Sequence, residues 1–190
     1  MTLLTVWDDT DPARAELRTE DAAEIGAVLG EFGVRFERWE LRELPEDATS
    51  EEVLAAYRAE VDRVISSEGY IKVDAIAMKP SADPEWPARA EAAREKFRSE
   101  HTHDDDEDRF FARGAGVFYL HLRGKVYAVL CEAGDLLSVP ARTTHWFDMG
   151  TSPDFVSIRF FHDDDGWIGE FLGTDTAERF PGFDELMASR

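Results

Sequence analysis

Three histidines and one glutamate have the types and spacing of a divalent-metal site. His101 and His103 stand two residues apart. On a strand, positions i and i+2 face the same side, so the pair can share one ion. Glu107 follows four residues after His103. A straight strand would carry it about 13 Å away at roughly 3.3 Å per residue, whereas donors sit about 2 Å from a metal. The chain must therefore reverse, and Asp104, Asp105 and Asp106 suit the turn because short acidic side chains cap turns. Glu107 is then expected to open the next strand beside the histidine pair, with Arg109 and Phe111 on its own face. His145, five residues after Pro140 and just before Trp146 and Phe147, is the fourth candidate ligand. Three imidazoles and a carboxylate suit iron, nickel or manganese, and an octahedral ion would keep two positions for a bidentate substrate. A tetrahedral zinc would be closed by the same four ligands and catalytically mute.

The elements that position these residues change character along the chain. Leu3 to Trp7 is a short β-prone run that ends in an Asp- and Pro-containing turn. From Thr19, read as an N-cap, Ala22, Ile25, Val28 and Leu29 recur at helical spacing. Gly33 to Leu41 reads as a strand. Thr49 and Glu52 make a capping-box pattern, and Val53, Leu54, Tyr57, Val61, Val64 and Ile65 form one helical stripe that stops at Gly69. A further helix opens after Pro84 or Pro87 and runs to Arg98. From residue 108 onward, short β-branched and aromatic runs are broken by Gly, Asp or Pro, the pattern of an antiparallel sandwich or barrel. The expected architecture is mainly β with α, a barrel with helices packed around its N-terminal part. One domain is expected over residues 1–190: a helix and strand part to 100, a metal-binding barrel core over 101–175, and a tail over 176–190.

Composition narrows the classes. Asp and Glu total 41 against 21 Lys and Arg, a net charge of −20, which disfavours nucleic acid or an anionic membrane as partner. Hydrophobic residues at 43% and aromatics at 12% supply core material that acidic disordered chains lack. A lone cysteine, Cys131, excludes an intrachain disulfide framework and is expected to be a buried inert thiol. The N-terminus has no basic leader, and no stretch approaches the roughly 18 apolar residues of a membrane span. The expectation is a cytoplasmic monomer acting on a small molecule.

The pattern His101-x-His103-x₃-Glu107-x₆-Gly114, followed by Gly134-x₅-Pro140-x₄-His145, resembles the two motifs of the cupin superfamily. Arg142, Met149 and Glu95 stand where cupins usually carry glycine, asparagine and glycine. The segments from Phe97 to Phe111, Gly114 to Phe118, Val129 to Glu132, Asp135 to Ala141 and Thr144 to Gly150 are similar to acireductone dioxygenase. So are Gly33 to Trp39 and the helix around Tyr57. The resemblance implies a cupin (double-stranded β-helix, or jelly-roll) fold and one Fe²⁺ or Ni²⁺ per chain on His101, His103, Glu107 and His145. It also implies O₂-dependent cleavage of 1,2-dihydroxy-3-keto-5-(methylthio)pentene in methionine salvage. The iron form of such enzymes gives 4-methylthio-2-oxobutanoate and formate; the nickel form gives 3-methylthiopropionate, formate and CO. Arg109 matches the family's substrate-orienting arginine, and Phe97, Phe147 and Trp167 match positions lining its thioether pocket.

Residue chemistry supports Arg109 independently. An ion with one carboxylate ligand and a dianionic substrate leaves one negative charge, which a fixed guanidinium beside Glu107 would balance. The plainer alternatives are a surface salt bridge for Arg109, core packing for the three aromatics, and turn or solvent roles for the Asp run. His121 and His162 fall in no ligand motif and are expected to be structural. A cupin isomerase acting on a sugar phosphate could use the same ligands, but it would need more basic residues and no O₂. A non-catalytic metal-binding cupin would tolerate loss of Arg109.

Overall fold

The computed structural model describes residues 1–163 and 167–190. Its strands are β1 (Leu3–Asp8), β2 (Ala15–Thr19), β3 (Arg35–Arg38), β4 (Lys72–Met78), β5 (His101–Thr102), β6 (Glu107–Leu122), β7 (Lys125–Glu132), β8 (Asp135–Val139), β9 (His145–Asp148), β10 (Phe155–Phe161) and β11 (Glu170–Phe171). Its helices are α1 (Ala22–Gly30), α2 (Ser50–Ala56), α3 (Arg58–Glu68), α4 (Trp86–Phe97), α5 (Thr176–Arg179) and α6 (Phe183–Ala188). All strand pairs are antiparallel. One sheet runs β11-β5-β9-β6-β7-β1-β2, and the other is β4-β10-β6-β8-β3. Strand β6 belongs to both. Its first half pairs with β8 and β10, and its second half with β7 and β9.

The crossing is made at a bulge, where β10 skips from Val156 opposite Arg113 to Ser157 opposite Phe111. The extra residue shifts the two-residue alternation by one. Phe111 faces the interior before the bulge, and Phe118 and Leu120 face it afterwards. Gly114 sits at this corner with φ 71°, and a Cβ there would lie 1.9 Å from the Asp154 carbonyl oxygen, so only glycine fits.

Three apolar clusters result. The interior one, between the sheets, contains Phe111, Phe118, Leu137, Phe147, Phe155 and the free Cys131. Burial pushes the Cys131 thiol well above its ordinary range, as an inert thiol requires. The second lies outside β6, β8 and β10 under α2 and α3, where Phe110 stacks on Trp39 at 4.3 Å and meets Tyr57 at 4.7 Å. The third joins Leu3, Trp7, Tyr119 and Trp146 to Ala177, Phe180 and Leu186 of the C-terminal helices.

Several expectations need correction. Residues 101–175 do not form the barrel alone, because β1 to β4 from the first hundred residues complete both sheets. The segment 176–190 is two short helices packed on the third cluster rather than a tail. Asp21, not Thr19, caps α1, accepting from the amides of Ala23 and Glu24; Thr19 ends β2 instead. The expected strand at Gly33–Leu41 shortens to β3. The helical stripe from Val53 to Ile65 is broken at Tyr57 (φ −108°, ψ 20°), whose ring is held in the second cluster and whose hydroxyl accepts from the Arg42 amide. The capping box at Thr49 and Glu52 and the left-handed Gly69 are present as expected. Among the described residues no helix is long and apolar enough to cross a membrane.

Strand β9 is tied to α4 by Arg94, whose Nε and Nη2 donate to the two Asp148 oxygens at 2.6 and 2.9 Å. Burial raises the Asp148 carboxyl, yet the Arg94 bond and the amides of Phe183 and Gly150 outweigh it and hold it below the usual range. A depressed pKa stabilises the fold above the unfolded value of about 3.9, and that stability is lost as pH falls through the folded value. Asp148→Asn should therefore cost about 2–3 kcal/mol near pH 7, with a narrower gap to wild type at about pH 3, where the unfolded carboxyl is already largely protonated. Urea midpoints at the two pH values test this; an equal gap at both would sink it.

Candidate metal centre

The site lies at one end of the barrel interior. His101 on β5 is directly opposite His145 on β9, and their rings are 4.5 Å apart. Strand β5 covers only His101–Thr102, so His103 lies just past its end, where its carbonyl accepts from the Arg142 amide at 2.8 Å. The chain then reverses through Asp104–Asp106 and Glu107 opens β6, as the spacing required. It does not open beside the histidine pair, however. Strand β9 is the neighbour of β5, while Glu107 sits opposite Val139 on the other sheet and meets the imidazoles from there.

Each ligand-type imidazole is oriented from behind. His101 Nδ1 is 2.8 Å from the Ser99 carbonyl oxygen, His103 Nδ1 is 2.6 Å from that of Asp105, and His145 Nδ1 is 2.7 Å from that of Thr143. A carbonyl only accepts, so each Nδ1 carries a proton and leaves Nε2 as the nitrogen that can offer a lone pair to a metal ion. One ligand atom from each of the three buried histidines lies within 4.8 Å of the others. Glu107 Oε2 is 3.1 Å from His103 Nε2 and 3.2 Å from His145 Nε2. Each Nε2 thus faces a carboxylate oxygen, a contact that either a ring proton or a shared metal cation satisfies. The donor set therefore fits a divalent ion.

Charge around the cluster is ordered. Burial alone would raise Glu107, but Arg109 and the bonds to His103 and His145 hold its carboxyl well below the carboxylate range. Burial, with His145 beside it, pushes His101 down; burial also acts to lower His103, but the bond to Glu107, that carboxylate's charge and Asp105 together outweigh it and raise His103. Arg109 is buried, and its Nη2 donates to Glu107 Oε1 at 2.9 Å. Its guanidinium carbon lies 4.5 Å from the Phe147 ring centroid, 5.2 Å from that of Phe118 and 5.4 Å from that of Trp167, and among the described residues Nε has no hydrogen-bond partner.

The aromatic candidates take different places. Phe97 and Trp167 line a small cavity of about 50 Å³ together with His101, His103 and Glu107. Trp167 stacks nearly parallel to His103 at 6.0 Å, and its Nε1 donates to the Asp106 carbonyl. Phe147 is not in that wall; it is a core residue beneath the Arg109 guanidinium. Lys96, Gly169 and Phe171 also line the cavity and were not singled out from sequence. Phe171 lies outside the ligand motifs, at a sheet edge whose partner, β5, is fixed only by tertiary pairing.

Of the departures from the cupin pattern, Arg142 adopts φ 63°, the left-handed conformation that suits glycine, so the turn is kept. Its Nε donates to Asp104 at 2.9 Å. Met149 is buried in the interior cluster.

Comparison with known proteins agrees with this geometry. The chain is 78% identical over 190 residues to the acireductone dioxygenase of Saccharopolyspora erythraea, covering all of both chains. It is 56% identical over 188 residues to acireductone dioxygenase 1 of Nocardia farcinica, spanning 98% of this chain and 100% of that one. Among solved structures, the acireductone dioxygenase from Bacillus anthracis with a cadmium ion in its active centre superposes with a TM-score of 0.75. The two are 27% identical, and the match covers 90% of this chain and 98% of that one. The fold is thus the cupin-type barrel expected from the motifs. With a model of the ARD/ARD' family matching residues 4–169, the three-histidine cluster and its barrel find their place: the chain belongs to the ARD/ARD' family.

Proposed function

We propose that this chain cleaves 1,2-dihydroxy-3-keto-5-(methylthio)pentene with O₂ in methionine salvage. Family membership makes it a metal-dependent dioxygenase of acireductone. The observation that carries the finer reading is the convergence of three buried imidazoles and Glu107 beside the buried Arg109. In this reading His101, His103, Glu107 and His145 hold one Fe²⁺ or Ni²⁺ per chain. The bound ion supplies a Lewis-acidic template for two substrate oxygens.

The chain's own residues do the rest. Glu107 and Arg109 cancel one another, so a divalent ion leaves two uncompensated positive charges in a buried site. A dianionic enediolate matches that charge, and a monoanion or neutral ligand does not. Arg109 Nε has no partner among the described residues and the guanidinium cannot act as a base, so it would hold the anion without taking a proton. The Nδ1 bonds to carbonyls keep the imidazoles in one tautomer throughout. Phe97 and Trp167 offer an apolar wall to the thioether, and Phe147 supports the guanidinium from below. Electrons for O₂ come from the substrate dianion, and the protein contributes position and electrostatics rather than a nucleophile. The iron form would release 4-methylthio-2-oxobutanoate and formate, and the nickel form 3-methylthiopropionate, formate and CO. The reading places the chain in the cytoplasm as a monomer, in keeping with a net charge of −20.

Protein stripped of metal and reloaded with Fe²⁺ or Ni²⁺ tests the proposal. Acireductone would be generated anaerobically, O₂ admitted, and keto acid, formate and CO measured against a no-enzyme control. Formate with keto acid from the iron form and CO from the nickel form are expected. Neither form exceeding the uncatalysed oxidation would overturn the reading.

A further inference from the structure

The chain has five histidines, and three of them converge on the candidate metal point. The other two, His121 and His162, lie outside that cluster. Each grips a carboxylate at one end of the segment that carries His101 and His103. At the leading end, His121 Nδ1 is 2.6 Å from Glu100 Oε1 and its Nε2 is 3.1 Å from Asp9 Oδ2. Glu100 directly precedes His101 and is buried. Its other oxygen accepts from the Thr174 hydroxyl, and its carbonyl accepts from the Leu172 amide.

At the trailing end, His162 binds Asp105 twice. Its amide donates to Oδ2 at 3.0 Å, and its Nδ1 donates to Oδ1. The ring is fixed against Tyr70 at 4.3 Å, with Nε2 3.1 Å from the Glu68 carbonyl oxygen. Asp105 is the residue whose own carbonyl orients His103. Both nitrogens of each ring thus face acceptors, so each imidazole bridges two elements as a double donor. Metal affinity depends on such outer bonds, because ligands must be held within a few tenths of an ångström.

We propose that His121 and His162 are positioning residues of the metal centre, clamping Glu100 and Asp105 so that the segment between them presents His101 and His103 together. The inference rests on the metal-centre reading above. A structural role alone would lower stability and leave metal affinity unmoved.

The test uses the full chain, stripped of metal and titrated with Cd²⁺ alone by calorimetry, with circular dichroism to verify folding. His121→Phe and His162→Phe keep a ring and remove the donors; each should raise the Cd²⁺ Kd about tenfold. His162→Gln keeps a donor toward Asp105 and should return to within about threefold of wild type. In the Cd²⁺-loaded protein, the Nδ1–H proton resonance of His103 should shift in His162→Phe and return in His162→Gln. Folded Phe variants binding Cd²⁺ within about twofold of a one-to-one wild type would overturn the proposal. Should His121→Phe fail to fold with Glu100 Oε1 left without its His121 partner, the half-exposed His162 decides alone. A wild type that takes up no Cd²⁺ would overturn the metal centre itself, and this inference with it.

Discussion

His145→Ala should strip the metal from the chain and lower turnover by about 10³-fold or more, with the fold retained. Loss of outer partners to metal ligands already costs about 10–100-fold, and a ligand is worth more than its support. His145 is buried, faces His101 across the β5–β9 pair, and lies 3.2 Å from Glu107 Oε2. Removing it opens the cluster on the side of β9 and leaves Glu107 with a single imidazole neighbour. The fold should survive because β9 stays anchored by Asp148 to Arg94. Metal content by mass spectrometry and turnover after reloading are the measurements. A variant that keeps one ion per chain and full activity would remove His145 from the ligand set.

Arg109→Met should lower kcat/KM by about 10²–10³-fold, equivalent to about 3–4 kcal/mol of transition-state stabilisation. Methionine fills the space over Phe147 and Phe118 but brings no charge, so packing is largely kept. Arg109→Lys should not restore activity. A lysine ammonium is a strongly hydrated point charge, and it lacks the fork that serves Glu107 and a substrate oxygen together. Both variants should also raise the Glu107 carboxyl toward its ordinary range, since Arg109 is the leading influence holding it down. Steady-state kinetics on metal-replete protein decides between roles. An Arg109→Met variant with kcat/KM within about threefold of wild type would make the residue a structural partner of Glu107 only.

The candidate ligand residues form a pattern legible in sequence because their spacing is a local matter. A required reversal and an acidic turn follow from backbone geometry, and the structure has both between His101 and Glu107, although β5 ends at Thr102, before His103. The capping box at Thr49 and the stop at Gly69 were readable for the same reason, since caps depend on neighbours three or four residues away. The break at Tyr57 was not, because its cause is the distant packing of Trp39 and Phe110 around one ring. Phe147 was placed by its motif in the substrate wall, yet its position under Arg109 depends on pairing with Phe118, twenty-nine residues earlier.

From its amino acids alone, this chain offered a four-residue candidate donor set, its acidic composition and the family it resembles. Which side each donor comes from was decided only in three dimensions. The bulge between Phe111 and Arg113, with the corner at Gly114, lets β6 pass from one sheet to the other, so Glu107 and Arg109 reach the histidines from across the interior. Strands from the first hundred residues complete both sheets, and the C-terminal helices cover the outer face. The clasps of His121 on Glu100 and of His162 on Asp105 join residues far apart in the chain. Such pairings leave no local pattern, because what selects them is the burial of several strands at once rather than the spacing of any one.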